Sequence, residues 1–282
     1  MAAVAKQTPA PPPRLRRRVN KVVLFVTMIV VAIVMLYPFY FMLNNGSRTQ
    51  TQFEQQSGHS LHSWTQLLQE LPVLRQLFNS TLICAVAITI ILVVSSTAGF
   101  SFAKLTYRAS GFLFLAIVAA MMIPLQSIII PEYVNLAHFG LINTYAGAIL
   151  VYAAVGTPFA TFLMTTYYRG ISDELIEAAV LDGLGYWRTF LKVAVPLSAP
   201  ALATVAVLQF IQIWDDLLIG LLFLQNPQQR TITVGLAALS AGRTTSVPVL
   251  MLGSFISALP AIVVYLFFQR HLVKGLTLGM GK

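Results

Sequence analysis

Six stretches of this 282-residue chain are apolar almost without interruption, at about 22–43, 77–103, 112–133, 145–168, 198–224 and 247–268. A helix needs ~20 mostly apolar residues to cross a hydrocarbon core ~30 Å thick. In lipid no water satisfies a free backbone group, so an open strand is excluded and each stretch must be helical. The sequence therefore predicts an all-α membrane protein with six transmembrane helices. Only 10% of its residues are charged, against ~25% in soluble domains.

A net charge of +9 suggests nucleic acid until the charges are placed. With the N-terminus inside and six alternating helices, the inner segments hold fourteen of the eighteen Lys and Arg: Lys6, Arg14, Arg16, Arg17, Arg18, Lys21, Lys104, Arg108, Arg169, Arg188, Lys192, Arg270, Lys274 and Lys282. The outer segments keep Arg48, Arg75, Arg230 and Arg243. That asymmetry follows the positive-inside rule and puts both termini in the cytoplasm, with no nucleic-acid partner. The first apolar run is too long for a signal peptide, and Tyr37-Pro38-Phe39-Tyr40 is no small-residue cleavage site. It is expected to be retained. Cys84, the single cysteine, excludes an intrachain disulfide.

Four units are expected. Residues 1–20, with Pro9, Pro11, Pro12, Pro13 and an Arg cluster, form a disordered basic cytoplasmic tail. Residues 21–76 hold the first transmembrane helix and a polar outer loop, where His59 and His62 lack a third ligand, so no metal site is expected. Residues 77–270 form a five-helix core with cytoplasmic helices near 172–195, and 271–282 a C-terminal tail. The 105–111 connection is so short that its two helices must be antiparallel neighbours. Pro124 and Pro131 in the third span, and Gly156 and Pro158 in the fourth, mark breaks that either line a wet cavity or serve packing.

The longest polar connection between spans carries a helix with an acidic start. Ser172 is placed as its N-cap, and Asp173, Glu174 and Glu177 suit the positive end of the dipole. Ile176, Val180 and Leu184 form an apolar stripe, Ala178 and Ala179 leave a slim surface, and Gly183 allows a left-handed stop. A second short helix starts at Tyr186-Trp187 and ends at Pro196. Such a helix either seats in a groove of a partner or lies on the membrane face. It lacks the Lys/Arg-rich polar face that the second reading needs.

Those residues carry a resemblance. Glu177-Ala178-Ala179, three residues, Gly183, nine residues, then Val193, Val195 and Pro196 resembles the EAA motif of permease subunits of ATP-driven importers, with Val where Ile and Leu are usual. The ending Gln269-Arg270, four residues, Gly275-Leu276-Thr277-Leu278-Gly279 and a final Lys282 is similar to the tail of carbohydrate-importer permeases, in particular the smaller permease of the maltose type. Leu141-Ile142-Asn143-Thr144-Tyr145 and Trp214-Asp215-Asp216-Leu217-Leu218 also look like family stretches, with Asp215 replacing the usual Asn. The resemblance covers about 21–282. It implies a type I ABC importer permease-like bundle in a bacterial cytoplasmic (inner) membrane, with Glu177, Ala178, Ala179, Asp182, Gly183 and Pro196 contacting an ATPase. It implies a tail contact with the ATPase through Gly275, Leu276, Thr277 and Gly279. The implied partners are a second homologous permease subunit, a dimer of ATPase subunits, an extracytoplasmic solute-binding protein, membrane lipid and a sugar. No cofactor is expected here, since ATP and Mg belong to the ATPase and this chain has no phosphate-gripping Gly-rich loop.

Polar residues inside spans are costly and therefore informative. Gln209, Gln212 and Asp216 share one face of the fifth span with Asp215 beside them, and Gln126 lies on the third. These five are the expected substrate path, and interhelical hydrogen bonding is the competing reading. For Thr157, Thr161 and Thr165 the second reading is favoured. Two other functions are weighed: import of a polyol or a glycerol-phosphate-like solute, and an ion-coupled carrier using Asp215 and Asp216. An intramembrane enzyme lacks any nucleophile–base or metal constellation.

Overall fold

The computed structural model describes residues 14–242 and 246–278, with side chains described for 21–242 and 246–270. Lys6, Arg243, Gly279 and Lys282 lie outside the described residues, as does most of the expected basic tail. Every regular element among the described residues is helical. The helices are α1 (Arg14–Gly46), α2 (Gln50–Glu54), α3 (His62–Glu70), α4 (Val73–Lys104), α5 (Ser110–Ala120), α6 (Leu125–His138), α7 (Tyr145–Arg169), α8 (Asp173–Leu181), α9 (Gly185–Thr189), a π-turn at Phe190–Ala194, α10 (Val195–Leu197), α11 (Ala199–Trp214), α12 (Leu218–Phe223), α13 (Ile232–Ala241) and α14 (Val247–Leu278).

Among the described residues four helices are long and apolar enough to cross a membrane: Lys21–Gly46, Val73–Lys104, Tyr145–Arg169 and Val247–Arg270. Two expected spans are broken. The third is α5 and α6, bent by 97°. Pro124 stands between them at φ −67°, ψ 132°; it offers no N–H and disfavours helical backbone before it. The fifth is α11 and α12, interrupted at Asp215–Leu217. α11 also makes a 72° bend with the segment before it, at Ser198.

The core is the α4–α7 pair. Gly99 lets the two backbones touch, for a Cβ there would stand 2.8 Å from Met164 Cβ and 2.9 Å from Thr165 N. Small residues at such seams permit the close approach that drives helix pairing in lipid. Ile83, Ala87, Ile91, Ala148, Tyr152, Ala160 and Met164 are buried along it. α5 leans on α7 more than on α4, its predicted neighbour across the short connection. α11 packs on α14, where Trp214 Nε1 donates to Ser257 O at 3.0 Å. α1 touches α14, Gly46 facing Leu252, and no residue of its most apolar window is buried.

The outer-loop helices and the 224–231 segment are fastened by side chains. Asn79 Nδ2 donates to the carbonyls of Gln228 and Arg230 at 3.0 Å each and accepts from Tyr145 Oη at 2.8 Å. Asn143, at φ +58°, accepts on Oδ1 from Gln225 N at 2.7 Å and Asn226 N at 3.0 Å. Thr144 caps α7 by accepting from Gly147 N at 3.1 Å. The Leu141–Tyr145 stretch thus has a structural task.

Candidate functional site

α8 stands off the bundle on a small apolar foot. Ile176 is 3% and Ala179 9% exposed, while Glu177, Ala178, Leu181 and Asp182 face outward. Ala179 therefore belongs to the anchoring side, because it follows Ile176 by one turn of the helix. Ser172 holds the N-cap position but does not cap: its hydroxyl donates to Glu174 Oε2 at 2.8 Å. The helix closes with Asp182 N on Ala178 O and Gly183 N on Val180 O, and Gly183 sits at φ +88° with open space around it. That left-handed conformation costs a β-carbon ~1–2 kcal/mol.

The return to the membrane differs from expectation. Pro196 lies within α10 rather than ending the preceding helix, and the break comes two residues later at Ser198. Before it the chain widens into the π-turn, which puts Phe190 and Ala194 inside. Phe190 meets Phe100 at 5.2 Å and Trp187 at 5.4 Å between centroids. Tyr168, fully buried, shares its hydroxyl with Ser96 at 2.7 Å and Ser198 at 3.1 Å. A groove of about 770 Å³ separates α8 from the 102–110 segment, lined by Lys104, Tyr107, Arg108, Ile176, Glu177 and Tyr186.

Within the spans, a cavity of about 640 Å³ opens between α5, α6, α7 and α11, with Glu132 and Gln212 among apolar residues such as Ile128, Val155 and Phe159. A recess of about 50 Å³ beside it is lined by Tyr152, Gln209, Gln212 and Asp216. The shared face of Gln209, Gln212 and Asp216 is thus present, but the three have different occupations. Gln209 is 1% exposed and donates through Nε2 to Gly156 O at 3.4 Å. Asp216 Oδ1 accepts from Tyr152 Oη at 2.9 Å, Ile219 N at 2.9 Å and Gly220 N at 3.3 Å. It starts α12 and ties it to α7. Gln212 alone is exposed to the large cavity. Asp215 is exposed at the end of α11, and Gln126 is exposed on α6; neither lines these two cavities. Thr157 and Thr165 bond back to Ala153 O and Thr161 O within their own helix.

The tail residues Gly275, Leu276 and Thr277 continue α14 as backbone, and Gly279 lies beyond the described residues. No group of three or more His, Cys, Asp or Glu able to hold a metal occurs among the described residues. Two participants escaped the sequence reading. Tyr152 is an aromatic in an apolar run, 64 positions from the carboxylate it meets. Lys104 looked like one more inner-face cation.

Comparison with known proteins places this arrangement. Residues 95–278 match the family model described as binding-protein-dependent transport system inner membrane component. The chain is 34% identical to the osmoprotective compounds uptake permease protein GgtD of Synechocystis sp., over 72% of this chain and 69% of that one. It is 32% identical to the arabinooligosaccharides transport system permease protein AraQ of Halalkalibacterium halodurans, over 71% of each. In fold it matches a chain of a bacterial ABC transporter involved in the import of the acidic polysaccharide alginate, with a TM-score of 0.77 at 20% identity, covering 93% of this chain and 99% of that one.

Proposed function

We propose, from the premise that this chain belongs to the family of inner membrane components of binding-protein-dependent transport systems, that it forms half of the pathway of an ATP-driven sugar importer. Membership makes it an ABC importer permease, a translocating subunit that is not itself an enzyme. The finer reading is a heterodimer with a second permease in a bacterial cytoplasmic membrane, both termini inside. Two ATPase subunits that hold the ATP and Mg engage α8, and an external binding protein delivers the solute.

The observation that carries the coupling is the geometry of α8. Its outward face offers Glu177, Ala178 and Asp182 with the exposed Leu181 among them, and its inward face holds Ile176 in the bundle. A slim acidic ridge on a fixed foot suits a basic cleft. ATP-driven closure of the ATPase pair presses on this ridge, and the bend at Ser198 lets α11 tilt and reshape the cavity at Gln212. The sugar class is supported by relatives such as the arabinooligosaccharide permease. The osmoprotectant permease favours the second reading, a small polyol-like solute. An ion-coupled carrier loses ground because Asp216 is already engaged by three donors.

The test is a mild-detergent pull-down of tagged chain from native membranes, beside a Glu177→Lys, Gly183→Trp double variant. The original chain should bring down a soluble ATPase and a second multi-span protein, and the variant should lose only the ATPase. Recovery of the chain alone, or an unchanged ATPase in the variant, would sink the reading.

A further inference from the structure

Lys104 ends α4, where a lysine ordinarily extends its stem to water. Here the side chain is 3% exposed, and the ammonium turns into the protein. Nζ lies 2.5 Å from Ile171 O, in the α7–α8 connection, and 2.5 Å from Asp173 Oδ1 in the first turn of α8. This is the sole ion pair among the described residues. A buried ammonium is tolerated only when its donors are taken up, and both partners here belong to the element that leaves the bundle. The other charged groups on the groove are Arg108 and Glu177, one on each wall.

Apart from that contact, the buried residues of α8 are Ile176 in its middle and Ala179 near its end. The segment that returns to the membrane after α8 is fixed independently, since Tyr168 Oη joins Ser96 on α4 to Ser198, and Phe190 packs on Phe100. Three residues, Gly170, Ile171 and Ser172, join α7 to α8, so a pressed helix would turn about that joint. We propose that Lys104 is a positioning residue: its ion pair makes α8 move as one body with α4 and α7, so that force on the ridge reaches the cavity wall. The inference rests on the reading of α8 as the ATPase contact. Lys104 touches neither ATPase nor solute in this scheme. It acts through the angle of α8.

The experiment uses the full transporter in native membrane vesicles, with Gln212→Cys as reporter and N-ethylmaleimide as probe. Gln212 faces the large cavity, while Cys84 is 2% exposed and sets a low background. With Lys104 present, ATP plus vanadate should change the labelling rate at 212. In Lys104→Met the ATPase should still be pulled down, but the nucleotide effect should shrink by ~5-fold or more. Lys104→Arg should restore it, and Asp173→Asn, whose 78% exposed side chain keeps an oxygen to accept from Nζ but loses the charge, should weaken it. An undiminished nucleotide effect in Lys104→Met overturns the inference and leaves α8 coupling intact. Loss of the ATPase, or of the chain from the membrane, in both Lys104→Met and Asp173→Asn also overturns it, by making the pair a docking or folding element. Absence of both ATPase and nucleotide effect with Lys104 in place overturns the proposed function instead.

Discussion

Replacing Asp216 separates a structural carboxylate from a transporting one. One oxygen of Asp216 takes three donors, Tyr152 Oη at 2.9 Å, Ile219 N at 2.9 Å and Gly220 N at 3.3 Å. Asp216→Ala orphans two backbone amides at buried residues and a phenol in the bundle. Hydrogen bonds in membrane bundles average ~0.6 kcal/mol, and an unsatisfied buried donor costs up to ~3 kcal/mol, so losing three should cost roughly 2–9 kcal/mol. Asp216→Asn keeps an amide oxygen for the same donors and forgoes only a charge–dipole term of ~0.3–1 kcal/mol. The alanine variant should therefore melt far below the parent, with the asparagine variant close to it. Cys84 is the single cysteine and is buried, so a thiol-reactive fluorogenic dye reports unfolding of the detergent-solubilised protein directly. An asparagine variant as unstable as the alanine one would show that the charge itself is required. A folded asparagine variant without transport would move Asp216 into the solute or ion path.

Gly99→Ala drives a β-carbon into the α7 backbone and should cost ~1–3 kcal/mol in the same melting assay. Gly156→Ala meets only the ends of the Gln209 and Ile91 side chains and should cost less; the reverse order would refute the α4–α7 seam as drawn. Asn143→Ala must hold φ +58° without its amide clamp. At ~1–2 kcal/mol, hydrogen exchange at Gln225 and Asn226 should rise by about tenfold, and unchanged exchange would show that the clamp is idle.

Membrane class and the four long helices were legible because an apolar run of that length has no other outcome in lipid. The breaks were only half legible. Pro124 announces the α5–α6 bend, since a proline lacks the donor that a continuing helix needs. Asp215 and Asp216 end α11 where apolar residues on both sides hide the interruption. The face shared by Gln209, Gln212 and Asp216 follows from helical spacing. What each does depends on Gly156, Tyr152 and the start of α12, which are remote in sequence or created by the break. The same holds for Lys104: charge counting sees a cation near an inner end, whereas its role lies in Asp173 and Ile171, more than sixty positions on. Gly183 was legible because a left-handed stop is a local matter.

α1 packs on α14, the last helix of the chain. During synthesis the ribosome must add some two hundred residues before that neighbour exists. Through all of that time α1 lacks the helix it packs on, so its sequence has to suit the bilayer without it. It does: no charged residue occurs from Val22 to Gly46, and the helix bonds its own backbone except at Pro38, which has no N–H to give. The first span is a freestanding anchor on which the remaining bundle is later closed.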